Sequence, residues 1–262
     1  MSIYVMSDLH GCMEEFRKML KLIRFSSEDE LILDGDYIDR GPHSLRMLRW
    51  VMNSPKNVTL LRGNHDDNFY SYVRLMKALD DTVHVLGETP SPAEMEKLYS
   101  FAYYYSQKNG AYFDHYGTIY ELITEKQVPF SDFQRFAAFL KSLPCIAERT
   151  VGDRHYLIVH AGYLDPSLPL PKGYGSFENF YLNARDEAYL QGGKEGTTVI
   201  CGHTPTIIPG MMPFTGGTVF FYEDTDRHRR FIDIDCGCVY RAKYPDARLA
   251  CIRLGDEAVY YV

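Results

Sequence analysis

The sequence lacks the cysteine spacings and long apolar stretches that mark several common protein classes. Its six cysteines show no zinc-ribbon spacing, and one residue separates Cys236 from Cys238, too few for a C-x-x-C redox pair. No apolar run approaches the length that spans a bilayer, and the N-terminal residues lack the basic and apolar regions of a signal peptide. We therefore expect reduced thiols, a cytoplasmic location and no membrane partner.

The chain also lacks an excess of positive charge, since 28 Lys and Arg face 35 Asp and Glu for a formal net charge of −7. Binding of nucleic acid depends on clustered Lys and Arg that face phosphates, so a nucleic-acid polymer is not an expected partner. Metal ions could still create a local positive site. The 262 residues can bury a core without disulfides, which predicts a single domain over residues 1–262.

What the sequence does contain is a series of short apolar runs, which predict buried strands. Several of these runs stop at a polar group: Ile3–Met6, Leu31–Leu33, Val58–Leu61, Tyr156–Val159 and Val199–Cys201. Apolar residues at helical spacing predict a helix from Cys12 to about Ile23. Strand, polar turn and helix in this order indicate an α/β fold. Residues of roughly 67–134 are predicted to form a helical insertion. Closing antiparallel strands are predicted for the alternating segments of the tail, Phe231–Asp235, Leu249–Leu254 and Ala258–Val262.

Five polar segments follow the predicted strands. They are Asp8-Leu9-His10-Gly11, Gly35-Asp36-Tyr37-Ile38-Asp39-Arg40-Gly41, Gly63-Asn64-His65-Asp66, His160-Ala161-Gly162 and Gly202-His203-Thr204-Pro205. A lone Asp or Asn at a strand end is more often a turn former than a ligand. Ligands of open α/β sheets bind beyond the carboxyl ends of the strands, so these loops could converge on one crevice. Together their carboxylate, imidazole and amide groups suit Mn, Fe or Zn.

In this order the five segments resemble the signature of the phosphoprotein phosphatase family, a branch of the calcineurin-like metallophosphoesterases. They are also similar to the segments of symmetrical dinucleoside tetraphosphatases. The resemblance implies a central two-sheet β-sandwich flanked by helices, and a centre of two divalent metal ions. It implies that Asp8 and His10 hold the first metal, that Asp36 bridges both metals, and that the remaining ligands hold the second: Asn64, His160 and His203. A carboxylate has two oxygens, which suits Asp36 to the shared position.

The resemblance also implies catalytic and phosphate-binding roles. His65 resembles the general acid of the family, and Asp39 is its expected orienting partner, since a carboxylate on the far ring nitrogen favours the imidazolium. The nucleophile is expected to be a hydroxide that bridges the metals, so no phosphoenzyme should form. Arg40 and Arg185 are expected to bind the substrate phosphate, because a guanidinium matches phosphate oxygens. Asn64 is expected to contribute to the same phosphate site. Asp66 stands where many relatives have Glu.

The leading interpretation is a phosphomonoesterase like the serine/threonine protein phosphatases, with a phosphorylated protein or peptide as substrate. The alternative uses the same metals for symmetrical hydrolysis of a dinucleoside polyphosphate, a phosphorylated small molecule. The motifs do not separate these substrates, because specificity resides in the loops and the helical insertion. A non-catalytic metal-binding protein would have lost a ligand or the acid histidine, and neither is lost. The acidic balance disfavours a nuclease.

Overall fold

The computed structural model describes residues 1–110, 117–124 and 126–262, and these form two five-stranded sheets with helices on their outer faces. The strands are β1 (Ile3–Met6), β2 (Glu30–Asp34), β3 (Val58–Leu61), β4 (Ile146–Val151), β5 (Arg154–Val159), β6 (Thr197–Cys201), β7 (Phe220–Asp224), β8 (Arg229–Asp233), β9 (Ala250–Arg253) and β10 (Val259–Tyr261). The helices are α1 (Met13–Leu22), α2 (Ser44–Met52), α3 (Asn64–Val83), α4 (Pro92–Lys108), α5 (Thr118–Thr124), α6 (Phe130–Ser142), α7 (Phe177–Asn183) and α8 (Asp186–Leu190).

The first sheet has the strand order β10-β9-β1-β2-β3, and the second has the order β4-β5-β6-β8-β7. Strands β1, β2 and β3 run parallel, as do β5, β6 and β8, while β4, β7, β9 and β10 pair antiparallel with their neighbours. The antiparallel pair β9 and β10 closes one edge of the first sheet, as predicted for Leu249–Leu254 and Ala258–Val262. The prediction was wrong for Phe231–Asp235, because most of this segment lies in β8, which pairs parallel with β6 inside the second sheet.

Alternate residues of a strand serve different cores, because successive side chains point to opposite faces of a sheet. In β1, Val5 packs between the two sheets and Met6 packs against the helices that cover the first sheet. In β5, Ile158 lies between the sheets and Leu157 lies in the core that includes residues of α7 and α8. Strands buried on both faces appear as continuous apolar runs, which is why they were predictable. The predicted sandwich flanked by helices is confirmed.

Strands β4 and β7 were not predicted. Both lie at the edges of the second sheet, and both carry side chains that are exposed or half-buried for most of their length. An edge strand pairs on one side only and so tolerates polar residues. Strands β3 and β10 also lie at sheet edges, and they were predictable because they carry no charged residue, whereas β4 and β7 both include charged residues.

Four helices, α3 to α6, separate β3 from β4 in the described part of the chain. Helix α3 begins at Asn64, inside the third polar segment and slightly before the predicted insertion. Helix α4 begins where the sequence provides a capping box, with Ser91 accepting from the Glu94 N–H and Pro92 in the first turn. Residues 111–116 and 125 of the predicted insertion lie outside the described residues. Within the described ranges, no helix is both long and apolar enough to cross a membrane.

Candidate dinuclear metal centre

The five polar segments meet where the carboxyl ends of strands from both sheets face each other. His10 N–H donates to the backbone oxygen of Asp36 at 2.8 Å, which joins the first two segments. Two further bonds cross between the sheets: His203 N–H donates to Asp8 Oδ2 at 2.9 Å, and His160 Nδ1 lies 2.9 Å from the backbone oxygen of Asp34. Residues 195 positions apart in the chain therefore lie in one pocket.

Asp36 occupies the middle of this pocket and is buried. Its Oδ2 lies 3.6 Å from His10 Nε2, which is itself 3.9 Å from Asp8 Oδ1. Its Oδ1 lies 3.4 Å from His160 Nε2 on the other side. The two oxygens of one carboxylate thus face two separate groups of potential ligands: a first group that contains Asp8 and His10, and a second group that contains His160.

The second group contains Asn64, His160 and His203. Asn64 Oδ1 lies 3.0 Å from His160 Nε2 and 2.9 Å from His203 Nδ1. His160 Nδ1 donates to the backbone oxygen of Asp34, so Nε2 carries a lone pair. This lone pair faces two other acceptors, Asn64 Oδ1 and Asp36 Oδ1. A cation with bonds of about 2.1 Å at angles of about 90–110° holds its ligands roughly 3.0–3.4 Å apart, which these separations match.

The first group shows the same tautomer. His10 Nδ1 lies 2.7 Å from the backbone oxygen of Ile38, so Nδ1 carries the proton and the lone pair of Nε2 points into the pocket, where it accepts from Arg40. Imidazoles that bind metals commonly donate their other N–H in this way, because the bond fixes the ring orientation. His10 and His160 are therefore both oriented for a cation beside Asp36.

The electrostatics of the pocket also suit cations. Burial raises the pKa of Asp8, and neighbouring Asp36 raises it further, although His160 opposes the shift. Burial likewise raises the pKa of Asp34 well above its ordinary value, with Asp8 and Asp36 adding to the effect. Burial also raises the pKa of Asp36, but the neighbouring imidazoles of His160 and His65 outweigh it and hold this pKa well below its ordinary value. A pocket in which one ionised carboxylate suppresses the ionisation of its neighbours gains stability when cations neutralise it.

The backbone is strained at this site. Six of the candidate residues adopt positive φ angles between 40° and 69°, the left-handed region that residues other than glycine rarely occupy: Asp8, His10, Asp36, Asp39, Arg40 and His203. Such outliers persist where the surrounding structure imposes them, and they concentrate at functional sites. The strain supports a functional role for these loops.

Two glycines allow the carboxylates to approach the backbone closely. A Cβ atom on Gly63 would lie 2.1 Å from Asp36 Oδ1, and one on Gly202 would lie 2.1 Å from Asp8 Oδ2. No larger residue could stand there without displacing a candidate ligand. Glycine is needed at these positions for space.

His65 lies beside the first group and forms a buried pair with Asp39. His65 Nδ1 is 2.6 Å from Asp39 Oδ2, and the other oxygen of Asp39 accepts from the Thr118 N–H at 2.8 Å. Thr118 Oγ1 in turn accepts from the Asp39 N–H at 2.9 Å, so the start of α5 holds this carboxylate. Burial lowers the pKa of His65, but Asp36 and Asp39 outweigh it and raise this pKa above its ordinary value. The pair suits proton donation.

The two predicted phosphate-binding arginines are exposed at the rim of the pocket. Arg40 Nη1 lies 2.8 Å from His10 Nε2, and its guanidinium lies 5.9 Å from the ring centroid of Tyr240. Arg185 Nη1 donates to Thr204 Oγ1 at 3.3 Å, next to His203. All the residues predicted for the site therefore lie in or beside one pocket.

Sequence reasoning missed several residues of this pocket. Asp34 is completely buried, and both its carboxylate oxygens lack a hydrogen-bond partner among the described residues. It directly follows an apolar run, a signal that could have identified it. Thr118 and Tyr240 reach the pocket only through tertiary contacts. Asp66 was not missed, since it belongs to the third polar segment. It accepts from the backbone N–H groups of Gly63, Asp36 and Tyr37 at 2.9–3.2 Å and so joins the second and third segments.

The profile of the family described as calcineurin-like phosphoesterase matches residues 1–207 of this chain. The chain therefore belongs to the calcineurin-like phosphoesterase family, whose members are metal-dependent hydrolases.

Among curated proteins, the symmetrical bis(5'-nucleosyl)-tetraphosphatase of Wigglesworthia glossinidia brevipalpis is 38% identical over 91 residues, which are 33% of this chain and 34% of that protein. The enzyme of the same name from Chromobacterium violaceum is 46% identical over 67 residues, 25% of this chain and 24% of that one. The chain thus matches about a third or less of the length of these relatives. A solved structure of a candidate diadenosine tetraphosphatase aligns with this chain with a TM-score of 0.54 and 20% sequence identity. The alignment includes all of this chain and 92% of the other chain, and at this identity it supports the fold alone.

Proposed function

We propose that the pocket binds two divalent cations, Mn, Fe or Zn, and that the chain hydrolyses dinucleoside tetraphosphates symmetrically. The observation that carries the metal centre is the position of Asp36, whose two oxygens face His10 on one side and His160 on the other. Asp8 would complete the first group, and Asn64 and His203 the second. The choice of substrate is supported by the similarity to symmetrical bis(5'-nucleosyl)-tetraphosphatases, and it replaces the protein phosphatase interpretation as the leading one.

When bound, the two cations would supply an activated water and offset the charge of the phosphates. The residues of the chain would donate the proton and bind the phosphate groups. The imidazolium of His65, held by Asp39, donates its proton from Nε2 to the leaving oxygen, since its Nδ1 faces the carboxylate. Arg40 and Arg185 bind phosphate oxygens from the rim, with Asn64 contributing from within, and so orient the scissile bond for in-line attack.

A phosphomonoesterase of the serine/threonine protein phosphatase type is the second candidate. The buried pair of His65 and Asp39 favours it, because an alkoxide leaving group is far more basic than a phosphate oxygen and depends more strongly on a proton donor. Both candidates use the same centre, so they differ only in the substrate that the surrounding loops and helices admit.

The deciding experiment compares diadenosine tetraphosphate with a phosphoserine peptide, using protein loaded with manganese. We expect ADP as the sole nucleotide product, at a higher kcat/KM than phosphate release from the peptide. Production of ATP and AMP would contradict symmetrical cleavage, and preference for the peptide would establish the second candidate. Asp36→Asn serves as the control, because activity that survives in this variant comes from a contaminant.

A further inference from the structure

A second cluster of ligand-type side chains lies outside the pocket, formed by Cys12, Glu15 and Cys238. One ligand atom from each residue lies within 4.8 Å of the others. Both cysteines are buried and Glu15 is half-buried. Cys12 and Cys238 are far apart in the sequence, so their spacing predicted no metal site, and the tertiary structure alone brings them together.

The local structure directs all three side chains to one point. Cys12 is the N-cap of α1 and Glu15 lies three residues later, in the first turn of the helix. Residues at this spacing share one side of a helix, as in a pair of metal ligands separated by two residues. Anionic ligands are favoured here, because the N-terminus of a helix carries a partial positive charge. Cys238 begins the short 3-10 helix Cys238–Tyr240, which brings its Sγ within 4.8 Å of Cys12 Sγ and of a carboxylate oxygen of Glu15.

Arg241 gives this cluster a balanced charge. Its Nη1 donates to Glu15 Oε1 at 2.7 Å, and its Nη2 lies 3.9 Å from Cys238 Sγ. Two thiolates and a carboxylate carry three negative charges, which a divalent cation and this guanidinium would neutralise together. Buried charge is tolerated when it is paired in this way, and donors that contact the ligands are a regular part of metal sites.

We propose that Cys12, Glu15 and Cys238 bind a third cation, a thiophilic divalent ion of the zinc class, with one coordination position left for water. Two sulfur ligands select zinc over magnesium or calcium. The site joins the start of α1 to the segment after β8. Since α1 directly follows the loop of Asp8 and His10, the cation would anchor one end of that loop. This proposal does not depend on the substrate of the neighbouring centre.

Cobalt(II) is the probe, because cobalt bound to thiolate has an intense near-ultraviolet charge-transfer band and the neighbouring pocket offers only nitrogen and oxygen ligands. The full chain is stripped with a chelator, kept reduced with a phosphine and titrated with cobalt. We expect the band to saturate in the wild-type protein. Cys238→Ser should lose the band and bind one cobalt ion fewer per chain. Cys145→Ser, which alters a half-buried cysteine outside the cluster, should retain both.

Absence of the band in folded, cobalt-saturated wild-type protein would overturn the proposal, as would equal loss of the band in Cys145→Ser. A disulfide between Cys12 and Cys238 in protein that was purified with the reductant would also overturn it. Glu15→Gln covers the case in which Cys238→Ser fails to fold, since it keeps both sulfurs. Removal of this carboxylate should weaken the cobalt affinity reported by the band at least about tenfold, and unchanged affinity would exclude Glu15 as a ligand and refute the site as proposed.

Discussion

Replacement of Asp39 by Asn tests whether His65 donates a proton during the reaction. Asp39 has φ of +69°, a conformation that Asn tolerates better than most residues, so the loop should keep its shape. The amide cannot replace both contacts of the carboxylate. If its oxygen accepts from His65 Nδ1, its NH₂ group faces the Thr118 N–H, and the reverse orientation presents a donor to His65.

The magnitude follows from the loss of one buried, charge-assisted hydrogen bond. Such bonds contribute about 1.5–3 kcal/mol, which corresponds to roughly a ten- to hundredfold change in the ratio of protonated to neutral imidazole. The pKa of His65 is raised in the folded protein, so the acid is present below that pKa and is lost as pH rises through it. In Asp39→Asn this loss should begin at lower pH.

The assay is kcat as a function of pH for two substrates, an alkyl phosphate and nitrophenyl phosphate. The alkyl phosphate has a basic leaving group and should lose activity at lower pH in the variant, whereas nitrophenolate leaves without protonation and should be nearly unaffected. Equal losses for the two substrates at every pH, with metal content unchanged, would refute the assignment of His65 as the acid.

Three further predictions follow from the same pocket. Asp36→Asn should release both metal ions together, because each carboxylate oxygen faces one ligand group, and metal analysis with Asp67→Asn as the control would detect this. Thr118→Val should lower kcat for the alkyl phosphate by about tenfold, the value of one hydrogen bond, while Thr118→Ser should not; equal effects would exclude the hydroxyl contact. Gly63→Ala should lower the free energy of unfolding by about 1–3 kcal/mol in a denaturant titration, because its Cβ would overlap Asp36; an unchanged midpoint would show that the loop can move aside.

Much of the fold was predictable because its signals are local. The run Ile3–Met6 matches β1 and Val58–Leu61 matches β3, while Tyr156–Val159 forms most of β5. Strand β1 is buried throughout and β5 is buried over its last four residues, so both are apolar there, while β3 is mostly half-buried but still carries three apolar residues. Edge strands β4 and β7 carry mixed residues and gave no such signal.

The amino-acid sequence by itself determined the fold class and the family, since the order of the strands and the five polar segments is written along the chain. Only the tertiary structure decided which groups meet: Asp8 with His203 across two sheets, Asp39 with Thr118 from the helical segment, and Cys12 with Cys238. The physical reason is that strand propensity and turn chemistry act over a few neighbouring residues, whereas these contacts arise when whole sheets pack and bring the ends of distant strands together.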